Sequence, residues 1–213
     1  MNPVIHEAQT ASPVALSYLG LTENPLLAAV RQGYLARANC TLNHPPLFAS
    51  FVAWGETVRA LREQLIPLGW ARNDKNHYAR TVHPDGRIAI AVATGNEATG
   101  IGDGTPITTS VKGPNTINAV EVNCRQVLCP GMELPETSSN EDENQLTTWL
   151  LLIHHANNEI RSELSQPSEI GLDGRIDGWR ERILLHPIPL DAEPLTITPP
   201  SQPDLDVEIR RKV

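Results

Sequence analysis

Cysteine, aromatic residues and basic charge are all in short supply, and each shortage closes off a class of protein. The three cysteines, Cys40, Cys124 and Cys129, are odd in number and form no CxxC pair. A disulfide framework and a zinc site are therefore not expected, and a reducing, cytoplasmic setting is. Aromatic residues make up 4% of the chain, so its apolar stripes are mainly aliphatic with a few tryptophans. Lys and Arg total 17 against 25 Asp and Glu, a net charge of −8. A surface acidic on balance does not suit sequence-independent coating of nucleic acid, although a local basic face stays open. No apolar run approaches the roughly 18 residues of a membrane-spanning helix, so no membrane partner is expected. The opening MNPVIHEAQTASP has neither a basic nor an apolar signal-peptide region.

What is present is organised around residues 76–95, NHYARTVHPDGRIAIAVATG. Tyr78, Arg80 and Val82 alternate with His77, Ala79 and Thr81, and His83-Pro84-Asp85-Gly86 is a turn sequence. The second arm is apolar on both sides, with Ile88, Ile90 and Val92 on one and Ala89, Ala91 and Ala93 on the other. A strand of that kind belongs in the middle of a sheet, covered on both faces, and the alanine side leaves room for a helix. The stretch is the expected central strand.

Around it, 213 residues suffice for one domain with extensions. Residues 1–12 read as a flexible arm, 13–190 as a single domain, and 191–213 as an extended proline-rich segment. Asn24-Pro25 opens a helix with Leu26, Leu27, Val30 and Tyr34 on one face. Residues 47–66 form the strongest helix, with Trp54, Val58, Leu61 and Leu65 as its buried stripe and Glu56, Arg59, Arg62 and Glu63 facing water. Residues 70–72 start a strand. Residues 115–127 form a short helix carrying Ile117, Val120 and Cys124 on one side. Residues 131–146 are an acidic linker. Residues 148–155 and 159–165 pair across Ala156-Asn157-Asn158, and 180–186 form a further strand. The expected class is α+β: a helical N-terminal region followed by a mixed or antiparallel sheet with packed helices.

Candidate sites fall in four places. Residues 95–114 are long, polar and glycine-rich, with Asn96, Glu97, Thr99, Asp103 and Lys112 as possible ligand-holding groups; the glycine spacing matches neither GxxxxGK[ST] nor GxGxxG, and the alternative is a mobile loop. His154-His155 with Glu159 and Glu163 offers metal-ligand chemistry, against which stands the plain reading of turn histidines, with no HExxH spacing. The charged stretch Arg175 to Arg182 around Trp179 reads as an ion-paired surface or a partner site. No catalytic nucleophile has a recognisable setting, and no cofactor is expected.

The fourth place is residues 15–35, ALSYLGLTENPLLAAVRQGYL, which resembles the helix-turn-helix of the excisionase and MerR-like families through Gly20-Leu21-Thr22, Leu26, Val30 and Gly33-Tyr34-Leu35. The resemblance implies that the second helix presents Asn24, Leu27, Ala28 and Arg31 to a DNA major groove; the alternative is a plain helical hairpin on the sheet. More broadly, ETVRALREQLIPLGW, HPDGRIAIAVATGNEATG and the run from WLLLIHHANNEIRSELSQP to GWRERILL resemble uncharacterised proteins of bacterial accessory genomes, a likeness that carries no activity. The expectation is a non-enzymatic binding or regulatory accessory protein of a bacterium or mobile element, with DNA or a protein as partner. The alternative is an enzyme, a hydrolase or nucleotide user, with its site at residues 95–114.

Overall fold

The computed structural model describes residues 3–128 and 146–190. Apart from Leu146, the expected acidic linker lies outside the described residues, as does the segment 191–213. The chain is α+β, with four helices and one mixed eight-stranded sheet among the described residues. In order these are β1 (Val4–His6), α1 (Ser12–Tyr18), α2 (Glu23–Ala38), α3 (Phe48–Leu65), β2 (Ala71–Asn73), β3 (Arg80–Val82), β4 (Ile88–Thr94), α4 (Pro114–Leu128), β5 (Thr147–His155), β6 (Glu159–Ile170), β7 (Ile176–Leu184) and β8 (Ile188–Pro189).

The strands lie in the order β1-β7-β6-β5-β4-β3-β2, with β8 paired to the start of β6. β5 is the middle strand because its apolar run serves both faces. Trp149, Leu151 and Ile153 join the cluster under α1, α2 and α3, while Leu150 and Leu152 join a second cluster with Val120 of α4. β4, the expected central strand, lies directly beside it, parallel and in register from Ile88 opposite Thr147 to Thr94 opposite Ile153. Its isoleucine side faces the three N-terminal helices and its alanine side faces α4. The hairpin β3–β4 forms as expected, though β3 is only three residues long.

The parallel β4–β5 pair requires a crossover. Among the described residues it comprises the glycine-rich loop and α4, and α4 covers the face opposite α1–α3. Asn123 fixes α4 there: its amide donates to the carbonyls of Thr148 and Pro167, and its oxygen accepts from the Thr148 N–H. Pro167 has no N–H to give the β6–β7 ladder, and the register between those strands shifts at Gln166/Pro167.

Several expectations differ from the structure. The arm 1–12 contains β1, a parallel edge strand on β7. His6 bonds Glu181 at 2.8 Å, and the buried Ser12 hydroxyl donates to Leu184 O at 2.6 Å. α2 starts at Glu23 with Thr22 as its cap, so Asn24 and Pro25 sit inside its first turn. Glu23 is drawn there by the His186 N–H, which donates to its carboxylate at 2.6 Å. Trp54 is 37% exposed, whereas Val58, Leu61 and Leu65 are buried as expected and the buried face extends to Ala53, Thr57 and Ala60. The reason is Gly33, whose missing side chain lets α2 press onto Thr57 and the Ala53 carbonyl. Arg59 pairs with Glu56 and Glu63 on the wet side, as the spacing predicts.

Candidate functional site

α1 and α2 are joined by residues 19–22, a turn that only glycine suits. Gly20 has a φ of +66°, and a Cβ there would lie 2.6 Å from His83 Nε2 on the β3–β4 turn. His83 is itself held by Asp85 at 2.7 Å and meets Trp70 edge-on. The two helices therefore rest on the hairpin tip, and α2 has a fixed outward face. Leu26, Ala29, Val30 and Gly33 are buried. Of the residues proposed to meet DNA, Asn24 and Arg31 are exposed. Leu27 is half-buried against the core, and Ala28 is half-buried. Gln32, exposed beside Arg31, was missed by the sequence reading; its position one residue past Arg31 on the polar side of the helix was the available signal.

The glycine-rich loop was weighed as a mobile segment or a ligand cradle, and two of its five named groups, Asn96 and Lys112, bond within the protein. The Asn96 side-chain oxygen accepts from the N–H groups of Ala98 and Ile107, closing the loop on itself. Thr99 is fully buried against Gly95, where a Cβ would lie 2.1 Å from its hydroxyl. Glu97 and Asp103 are exposed. Lys112 donates to the Ser110 hydroxyl, and burial lowers its pKa to about 8. Among the described residues, no hydrogen bond or ion pair joins any two of these five side chains.

What holds the loop is a buried pair whose two members the sequence reading placed in separate candidate sites. Glu163 and Arg182 have side chains 0% and 1% exposed. Arg182 grips Glu163 with two N–H groups, at 3.0 and 2.6 Å. The same guanidinium donates to the carbonyls of Gly104 and Ile101. The carboxylate also accepts from Ser165 and from the Gly100 N–H at 2.8 Å. Trp179 adds a bond from its indole N–H to Pro106 O, and Thr108 exchanges bonds with Ile176. Every guanidinium nitrogen and carboxylate oxygen of the pair thus has a partner in sheet or loop. Glu163 stood out as a possible metal ligand and Arg182 as part of a charged stretch read as an ion-paired surface or a partner site; their pairing runs between β6 and β7, and Arg182 is buried rather than at the surface.

The histidine cluster takes a different form from the metal reading. His155 lies opposite Ile160 and His154 opposite Arg161, so Glu159 is not across from either. Glu163 is committed to Arg182. Among the described residues, no group of three or more His, Cys, Asp or Glu side chains is placed to hold a metal ion. His155 instead stacks on Tyr34 at 6.0 Å and helps line a cavity of about 40 Å³ with Arg37, Ser50, Trp54 and Thr57.

Burial, with smaller contributions from Arg37 and His154, lowers the His155 pKa from 6.5 to about 4. Between those values the unfolded chain binds a proton that the folded chain refuses, so stability falls as pH drops through that window and levels off below it. The melting temperature of the wild type is expected to fall more steeply from pH 6.5 to about 4 than that of His155→Gln. Parallel curves for the two proteins would show that His155 is not the group responsible.

No family model, no curated protein and no solved structure matches this chain.

Proposed function

We propose that the protein is a non-enzymatic binding or regulatory accessory protein, working in the cytoplasm of a bacterium or from a mobile element, and that duplex DNA is the first partner to test. The observation that carries this is the exposed polar strip of α2. Asn24, Arg31 and Gln32 face outward, opposite the buried Leu26, Ala29, Val30 and Gly33. A helix locked on one side that presents polar side chains on the other, with Leu35 exposed among them, is what a major groove admits. Support also comes from the loop: among the described residues no bond joins Asn96, Glu97, Thr99, Asp103 and Lys112 to one another, and the loop is held by Asn96 and by the Glu163–Arg182 pair, which weakens the enzyme alternative that rested on those five. The cytoplasmic assignment rests on the odd cysteine count, and the bacterial one on the sequence resemblance alone.

The acidic whole keeps non-specific affinity low, so binding should need a cognate site and should weaken as salt rises. Selection from a random duplex library is expected to enrich one sequence. Arg31→Ala is then expected to weaken binding by about 1–3 kcal/mol, roughly five- to a hundredfold, with the melt unchanged because Arg31 is exposed. Failure to enrich any sequence would end the DNA reading and leave a protein partner as the one to seek.

A further inference from the structure

The outer side of α3 carries two features that fit each other. Six of the fifteen large apolar side chains left exposed among the described residues lie on this helix or just beyond its ends. At its start Phe48, Phe51 and Trp54 are 37, 66 and 37% exposed. At its finish a cleft of about 490 Å³ opens between Val58, Ile66 and Pro67, edged by Arg59, Arg62 and Arg72. Residues 48, 51, 55, 58, 59 and 62 share one helical face by their spacing. An apolar strip of this kind marks an interaction surface.

Between the two features lies Gly55. A Cβ built there meets nothing within 4 Å. Glycine inside a helix is destabilising relative to alanine, and no neighbour in the chain needs the space. A close approach from outside would use it.

We infer that the protein forms a two-fold symmetric dimer through α3, the two helices crossing antiparallel at Gly55. In that crossing the residue four before Gly55 faces the residue four after it in the second copy, and likewise at seven. Phe51 then meets the partner's Arg59, and Phe48 meets the partner's Arg62. Both arginines are already paired, Arg59 with Glu56 and Glu63 and Arg62 with Asp74. Their planes can therefore stack on aromatic rings with no unbalanced charge brought into the contact. The aromatic end of each copy enters the cleft of the other. A two-fold axis makes that contact twice, as a self-complementary interface requires. The helix is 18 residues long, about 27 Å, and the exposed Leu47, Ile66 and Leu68 extend the apolar strip at its two ends. The inference uses no residue of α2 and stands apart from the DNA reading.

The test is sedimentation velocity of the full chain over a wide concentration range. The expected species at high concentration has twice the 23.3 kDa chain mass. Gly55→Gln fills the crossing point and should raise the dissociation constant roughly tenfold or more, while its melt at a concentration where the wild type is monomeric stays equal or rises. Phe51→Asp, also on the exposed face, should weaken the dimer at least as much. A wild type that stays monomeric at the highest concentration overturns the inference and leaves this face to another partner. A dimer equally tight in both variants overturns it as well, because the contact would then lie elsewhere.

Discussion

Replacing Arg182 with methionine is expected to lower the unfolding free energy by about 3–5 kcal/mol, the usual consequence of removing one member of a buried ion pair. The substitution keeps an apolar stem but leaves the Glu163 carboxylate, 0% exposed, with only the Ser165 hydroxyl and the Gly100 N–H. It also removes the donors to Gly104 O and Ile101 O. Urea titration should show the midpoint fall, and amide exchange at Gly100 should quicken. A double variant, Glu163→Met with Arg182→Met, separates charge from anchorage. An isolated buried pair can often be exchanged for apolar residues at little cost. Here the double variant should stay destabilised, because four loop and sheet groups lose their partners at about 1–3 kcal/mol for each that stays buried and unpaired. A single variant within about 1 kcal/mol of wild type would mean that Glu163 finds other partners, a loss too small for a buried pair left broken.

The same pair shows what the sequence could and could not reveal. Strands β4 and β5 were legible because their apolar runs are local and serve two faces. α3 was legible because its apolar and charged positions repeat every three or four residues. The glycine-rich loop was weighed as a mobile segment because composition carries no record of distant partners. Its order comes from Glu163 and Arg182, some sixty to eighty residues away in sequence. β1 was missed for a similar reason: three residues have no period of their own, and their partner β7 begins at Ile176. Trp54 was placed on the buried stripe because helical spacing cannot tell a stripe's centre from its margin. The close approach at Gly33 turns the helix so that Thr57 takes the centre. At the candidate site, the exposed position of Asn24 and Arg31 followed from the pattern, while the half-burial of Leu27 and Ala28 depended on how α2 sits against the core.

Ile90→Ala is expected to cost about 2–5 kcal/mol, the range for large-to-small changes in a core. Ile90 is 1% exposed, pairs with Trp149 on β5 and with Thr81 on β3, and faces the helices through the same cluster as Leu151 and Leu164. Hydrogen-bonded strands on both sides hold the backbone of β4 in place, so the space left by the lost atoms cannot close by a shift of the strand. The cost should therefore lie in the upper part of the range. Ile88 and Val92 share that face but are only half-buried, so alanine at either should cost less than at Ile90. This order is the informative part. Burial beneath the helices predicts Ile90 as the most costly of the three, whereas a strand at the sheet margin would show three small and similar losses. Urea unfolding of the three variants decides between these outcomes, and a loss at Ile90 no greater than at Ile88 and Val92 would remove β4 from the interior of the sheet.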